Sequence, residues 1–533
     1  MTRFLALALA VAAGCSRATP SGGWGSPHVM TIARSNDPST LNPLFAFAET
    51  DIDLAQLYAE PLVGLGSQNE PIPMVAKRVP TVANRDVSRD GRTVTYHLRE
   101  NVRFSDGVPL TSKDVAFTYR AILDPRNPVA ESQPYREIAA LDTPDPHTVV
   151  LRLRRPWAGA VAALFATTDW IFGILPAHAF TSTDIAHAAW NDRPFGSGPF
   201  RVVRWRRGDE IDFEPNPYAW RKPRLRRLVV KIVPDRNTEL LLLQTHAVDV
   251  AEIINNVQAV ALRTSASVRL VRTEKNRTAF VAFQTRRFPT DDARVRRGLM
   301  EAIDNAQIVR KVYYGLWPVA TTEIPTVLWA HDASVRPYSY SPAQAARDLE
   351  AAGWRLEGGR RVKNGSALTV DVAYANYRAE DRSAATVVQE NLARLGVEAT
   401  VRGYPSTVYF SVPDGVYYGG RFNLAVVGWY GGMDPEQSEY MTCDRLAPNG
   451  PNTFRWCDAQ YDRLFALQSQ QLERQARHAV FSSLQKRVAQ AALFVPLIYQ
   501  GDYSAINPAV RGWHPTMTFE FCNSDEWDVL PPT

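Results

Sequence analysis

From residue 28 onward, two hydrophobic periods take turns along the chain. Over 93–98, Val94, Tyr96 and Leu98 fall on one face and Thr93, Thr95 and His97 on the other, the period-two signature of a half-buried strand. Val149, Leu151 and Leu153 repeat it against Arg152 and Arg154. Helical spacing is as clear. Ser341 as N-cap, Pro342 at the first helical position and Gln344 as the reciprocal partner of a capping box predict a helix that stops at Gly353. Val387, Val388, Leu392 and Leu395 form an apolar stripe ending at Gly396, and Val397, Ala399 and Val401 then alternate as a strand. A further helical pair is expected between Asp458 and Ala491. Strands alternating with helices define an α/β chain.

The first residues break this pattern. Arg3, the apolar run 4–13 and the small residues Ala12, Ala13 and Gly14 read as an export signal over 1–14. Cys15 follows directly, as in a bacterial lipobox, and is the expected lipidation site; an ordinary cleaved signal is the alternative. Residues 15–27, rich in Ser, Gly and Pro, cannot bury enough apolar surface to fold and are expected to tether a globular body to the outer face of a membrane (periplasm or cell surface). The apolar run is shorter than the roughly 18 residues that span a bilayer, so a polytopic membrane protein is excluded.

Composition narrows the function. The chain has 533 residues, enough for two to four lobes at ~100–200 residues each. Its net charge of +5 is too small to call for nucleic acid. Cys443 and Cys457 flank a Pro-Asn-Gly-Pro loop and are the expected disulfide, worth roughly 3 kcal/mol by loop closure, with Cys522 a buried free thiol or a rival partner. No HExxH, phosphate-loop or nucleophile-elbow motif occurs, and the nine His are scattered singly. Asp291 and Asp292 read as helix-capping groups, and the Arg-rich stretch 221–227 as a solvated strand edge. No catalytic residue, cofactor or metal site is therefore expected. With 13 Trp, 20 Tyr and 22 Phe, binding without chemistry is the leading reading.

Five stretches, in order, carry a resemblance. PSTLNP at 38–43, VRFSDGVPLTSKDV at 102–115, FGSGPF at 195–200 with NPYAW at 216–220, VRRGL with AID at 295–304, and PLIY at 496–499 together resemble the extracellular solute-binding proteins of family 5. The motif residues themselves read as scaffold: Asp106-Gly107 as a turn, Gly196 and Gly198 as a close backbone approach, and Val295, Leu299, Ala302 and Ile303 as a buried stripe.

The resemblance implies a two-lobed periplasmic-binding-protein (type II) fold with mixed sheets. Lobe I would span 28–275, with an extra subdomain at about 62–190, and lobe II 276–495; the chain would return to lobe I over 496–533. Crossing strands near 278–285 and 495–500 would form the hinge. The implied function is capture of a peptide or similar small organic solute in the inter-lobe cleft and delivery to the permease subunits of an ABC importer, by a monomer. Metal-chelate or oligosaccharide binding on the same fold is the alternative, and an exported enzyme or a sensory or chaperone-like module a third.

The segment GWYGGMDPE at 428–436 resembles the family's ligand loop, but Gly432 stands where many peptide binders have an acidic partner for the peptide's α-ammonium. Asp434 is offered as its substitute, with loop capping as the rival role. Trp429, Tyr430 and Gly431 are the expected contacts from this loop. Phe45, Phe47 and Glu49 are the expected contacts from lobe I, and Tyr499 from beside the hinge. Truncating Trp429 is expected to weaken binding at least about tenfold with the fold intact.

Overall fold

A computed structural model describes residues 26–129, 131–167 and 173–530. The signal segment, Cys15 and nearly all of the tether lie outside the described residues. Among the described residues no helix is long and apolar enough to cross a membrane.

The elements that frame the site are β1 (Val29–Arg34), α1 (Glu49–Ala55), β2 (Thr93–His97), β3 (Ile138–Asp145), β4 (Thr148–Leu153), β5 (Phe200–Arg206), β6 (Glu210–Pro215), β7 (Arg227–Ile232), β8 (Val250–Ile254) and β9 (Arg269–Phe283). They continue as α2 (Ala293–Ala302), α3 (Pro342–Ala351), β10 (Thr369–Ala375), α4 (Ala379–Ala393), β11 (Glu398–Tyr404), β12 (Leu424–Tyr430), α5 (Ala459–Gln470), α6 (Arg474–Ala491) and β13 (Phe494–Ile506). Ten strands join in one mixed sheet of order β11-β10-β12-β9-β13-β8-β1-β7-β6-β5. At its centre the long strands β9 and β13 run antiparallel. β12 pairs only with the later part of β9, Arg277 to Phe283, on one side, while β8 pairs with the later part of β13 on the other. The β9–β13 ladder shifts register between Glu274 and Thr278. The two α/β bodies of a type II binding fold therefore share two continuous strands. Both crossing strands are longer than the short segments expected from sequence, because their outer halves are built into the sheet on either side.

Local expectations translate directly. β2 and β4 pair over Thr93–Arg152 to His97–Thr148, and the small sheet β2-β4-β3 buries Val94, Tyr96, Val149 and Leu151. Ser341 accepts from the Gln344 amide, and the chain turns out of α3 through Gly353 at φ +90°. Gln344 differs from expectation: its side chain reaches Asp348 rather than back to Ser341, whose amide donates instead to Glu301 O. Gly196 and Gly198 lie against the backbone of Tyr58, where a Cβ would approach within 2.1 and 2.7 Å. Asp292 caps α2, and Val295, Leu299, Ala302 and Ile303 are buried along it. In the Arg-rich stretch Arg224, Arg226 and Arg227 are exposed, as its solvated reading expects, whereas Arg221 is largely buried between Glu60 (3.2 Å) and Asp525 (2.6 Å). Cys443 and Cys457 form the disulfide and Cys522 is a free thiol.

Candidate functional site

Strand β12 sorts its side chains by parity. Leu424 and Val426 pack into one face of the sheet, Ala425, Val427 and Trp429 into the other. Trp429 thereby joins an aromatic nest, 5.0 Å from Phe280 and 5.4 Å from both Tyr440 and Phe454, centroid to centroid. Tyr430, one residue on, points the other way at the strand end. It faces Arg277 across the β9–β12 ladder, with the guanidinium 5.0 Å above its ring. Beyond it the loop is tied to the crossing strand: the Gly431 amide donates to Asn276 O (3.0 Å) and Asn276 Nδ2 donates to Gly432 O (2.8 Å).

These residues wall a cavity of about 510 Å³ bounded by the start of α1, the middle of β9, the end of β12 and the 517–519 segment. That volume is in the range of small-molecule sites. The wall is mainly aromatic: Phe47, Phe410, Tyr417, Tyr418, Trp429, Tyr430, Tyr440 and Phe519 all contribute. Its charged members are Glu49 and Arg277.

Behind the wall lie two clusters of ion pairs, linked by the Glu520 amide, which donates to Asp53 Oδ1 (3.0 Å). Arg277 Nη2 donates to Glu49 Oε1 (2.7 Å), and Arg277 Nη1 to both oxygens of Asp502 (2.7 and 2.9 Å). Lys275 sits 2.6 Å from Glu520 and 3.9 Å from Asp502. Arg34 binds Asp53 (2.8 Å) and Glu252 (3.0 Å). Burial disfavours the Glu49 anion, but Arg277, Lys275 and Arg34 together outweigh it and hold that carboxyl below its ordinary range. Burial wins at Glu520, pushed up to about 7 against the pull of Lys275, and at Glu252, raised well above the ordinary value despite Arg34.

The structure brings together Phe47, Glu49, Trp429, Tyr430 and Gly431 of the residues expected from sequence. Three others lie elsewhere. Phe45 belongs to a buried 3-10 turn, Pro43–Phe45, and packs in the core, whereas Phe47, beyond the end of that turn, is exposed. Asp434 is buried and held by both terminal nitrogens of Arg477, which also donates to Gln468 Oε1, so it is committed to anchoring α6 and α5 rather than to an ammonium guest. Tyr499 accepts from the amides of Thr321 and Thr322, both at 3.0 Å, and so braces that segment. Trp429 is only 7% exposed, so it is core as much as wall and its truncation would not leave the fold intact.

Sequence reasoning missed Arg277 and the 410–418 aromatics. The density of rings between Tyr404 and Tyr430, interrupted by Gly415, Gly419 and Gly420, was the available signal. Among the described residues no three His, Cys, Asp or Glu side chains are grouped to hold a metal ion.

Two bodies joined by two continuous strands, with an aromatic cavity at the crossing, define a solute-binding protein of the periplasmic type. The family model of the bacterial extracellular solute-binding proteins, family 5, matches residues 70–449, and the chain belongs to this family. Protein XP55 of Streptomyces lividans is 29% identical over 413 residues, covering 75% of this chain and 72% of that protein. The dipeptide-binding protein of Pseudomonas aeruginosa is 23% identical over 462 residues, covering 82% and 84%. Among solved structures, NikA from Brucella suis in complex with Fe(III)-EDTA superposes with a TM-score of 0.82 at 21% identity, covering 95% of this chain and 100% of that one. The oligopeptide-binding protein AppA from Bacillus subtilis, in complex with a nonapeptide, gives 0.75 at 19%, covering 96% and 100%.

Proposed function

We propose that this protein captures a peptide or similar small organic solute in the aromatic cavity, closes two hinged lobes on it and delivers it unaltered to the permease of an ABC importer. In this reading lobe I is 28–275 with 496–533, lobe II is 276–495, and β9 with β13 is the hinge. Closure follows because a guest touches α1 and β12 together only when the lobes are shut, so binding shifts the population toward that state. A micromolar affinity requires only about −8 kcal/mol. The protein acts as a monomer, exported and held at the membrane by lipid on Cys15.

The observation that carries the reading is the 510 Å³ cavity, walled by side chains from elements on both sides of the crossing strands. Family membership and relatives named for dipeptide binding support it. The test is mass spectrometry of small molecules released by denaturing protein purified from its native membrane. A stoichiometric peptide or comparable organic solute, which rebinds refolded protein and is recovered chemically unchanged, is the expected result. Recovery of a converted product, or of no guest under conditions that support transport, would refute it.

A further inference from the structure

The two charged side chains of the cavity wall are not equivalent. Arg277 is 13% exposed in its side chain, and three of its five N–H donors are engaged: Asp502 holds Nη1 with both oxygens, Glu49 holds Nη2, and the Tyr430 ring covers a face of the guanidinium. A guest carboxylate would meet a guanidinium whose charge two carboxylates already offset. Glu49 is 35% exposed in its side chain and accepts a hydrogen bond only at Oε1; among the described residues nothing donates to its Oε2. It stays ionised because the cations around it outweigh burial. The rest of the wall offers aromatic faces, whose quadrupoles attract cations and repel anions.

Resting on the reading of this cavity as the solute site, we infer that the guest carries a cationic head, an ammonium or guanidinium group on an apolar body, and seats that head against Glu49 Oε2 within the aromatic wall. The head is part of the guest's body and its recognition does not depend on the loop at Gly432, where the family's usual acidic residue is missing. Carboxylate and ring faces together suit a weakly hydrated organic cation better than a metal ion, which needs several oxygen or nitrogen ligands at once.

Calorimetric titration of the full chain with three probes tests this: benzyltrimethylammonium, its uncharged carbon isostere neopentylbenzene, and 3-phenylpropionate. The cation is expected to bind at least about tenfold tighter than the isostere, a difference of about 1.4 kcal/mol, with the anion weakest. Glu49→Gln is expected to remove most of that preference, bringing the cation's affinity down toward that of neopentylbenzene. The wild-type ratio stands even where the variant folds poorly, and it should shrink as salt is raised. Equal binding of cation and isostere, or preference for 3-phenylpropionate, overturns the inference and leaves the cavity's role as solute site standing. Binding of none of the three overturns both.

Discussion

Trp429 and Tyr430 are sequence neighbours on opposite faces of β12, and truncating each should do a different thing. Tyr430 is 48% exposed at the cavity. An aromatic side chain buries 150–250 Å² when fully covered, so roughly 80 Å² of Tyr430 remains for a guest to cover. At ~25 cal/mol per Å² that is about 2 kcal/mol, or roughly thirtyfold in affinity. Trp429 is 7% exposed, so little of it is left for a guest, whereas its removal empties the nest formed by Phe280, Tyr440, Phe454 and Phe494. Large-to-small changes of this kind cost ~3–5 kcal/mol of stability. Tyr430→Ala is therefore expected to weaken binding of the solute released from native protein about thirtyfold. Its cost in stability should be about 1 kcal/mol, from the lost stacking with Arg277. Trp429→Ala should lower the guest-free stability by ~3–5 kcal/mol in urea denaturation, with its binding defect following from that loss. The reverse ranking, a stable Trp429→Ala with lost binding and a Tyr430→Ala that binds normally, would refute the assignment of wall and core.

Two other carboxyls give sharp outcomes. Asp434→Asn leaves Arg477 without its buried counter-charge and is expected to destabilise the protein by ~3–5 kcal/mol, and an unchanged denaturation midpoint would contradict the anchoring role. Glu323 is buried beside Tyr461 with its carboxyl raised by burial to about 7 from an ordinary 4.5. Its proton is held more tightly in the folded state, so its contribution to stability is full below pH ~4.5 and is lost as pH rises through ~7, about 3 kcal/mol in all. Glu323→Gln should gain that amount relative to wild type between pH 5 and pH 8; parallel denaturation profiles across that window would refute it.

Much of the scaffold was legible because it rests on local rules. The period-two strands at 93–97 and 148–153 bury one face each, Ser341 caps its helix, and Gly196 and Gly198 sit where any Cβ would strike Tyr58. The site was half legible. Glu49, Trp429 and Tyr430 were reachable because motifs flank them, but no motif reports that Phe45 closes a buried 3-10 turn while Phe47, just beyond it, is exposed. Asp434 read as a binding group because its partner, Arg477, is 43 residues away on helix α6, a pairing no local pattern reports. Arg277 was hidden for the same reason: Glu49 and Asp502 reach it from separations of 228 and 225 residues.

The central claim is that two bodies hinge on β9 and β13 around a guest. Small-angle X-ray scattering of the purified protein, recorded with and without a saturating amount of the solute recovered from native material, tests it most directly. Closure predicts a smaller radius of gyration and a shorter maximum dimension with solute present. Identical scattering curves at confirmed saturation, with the guest-free protein no more extended than the bound one, would contradict the account.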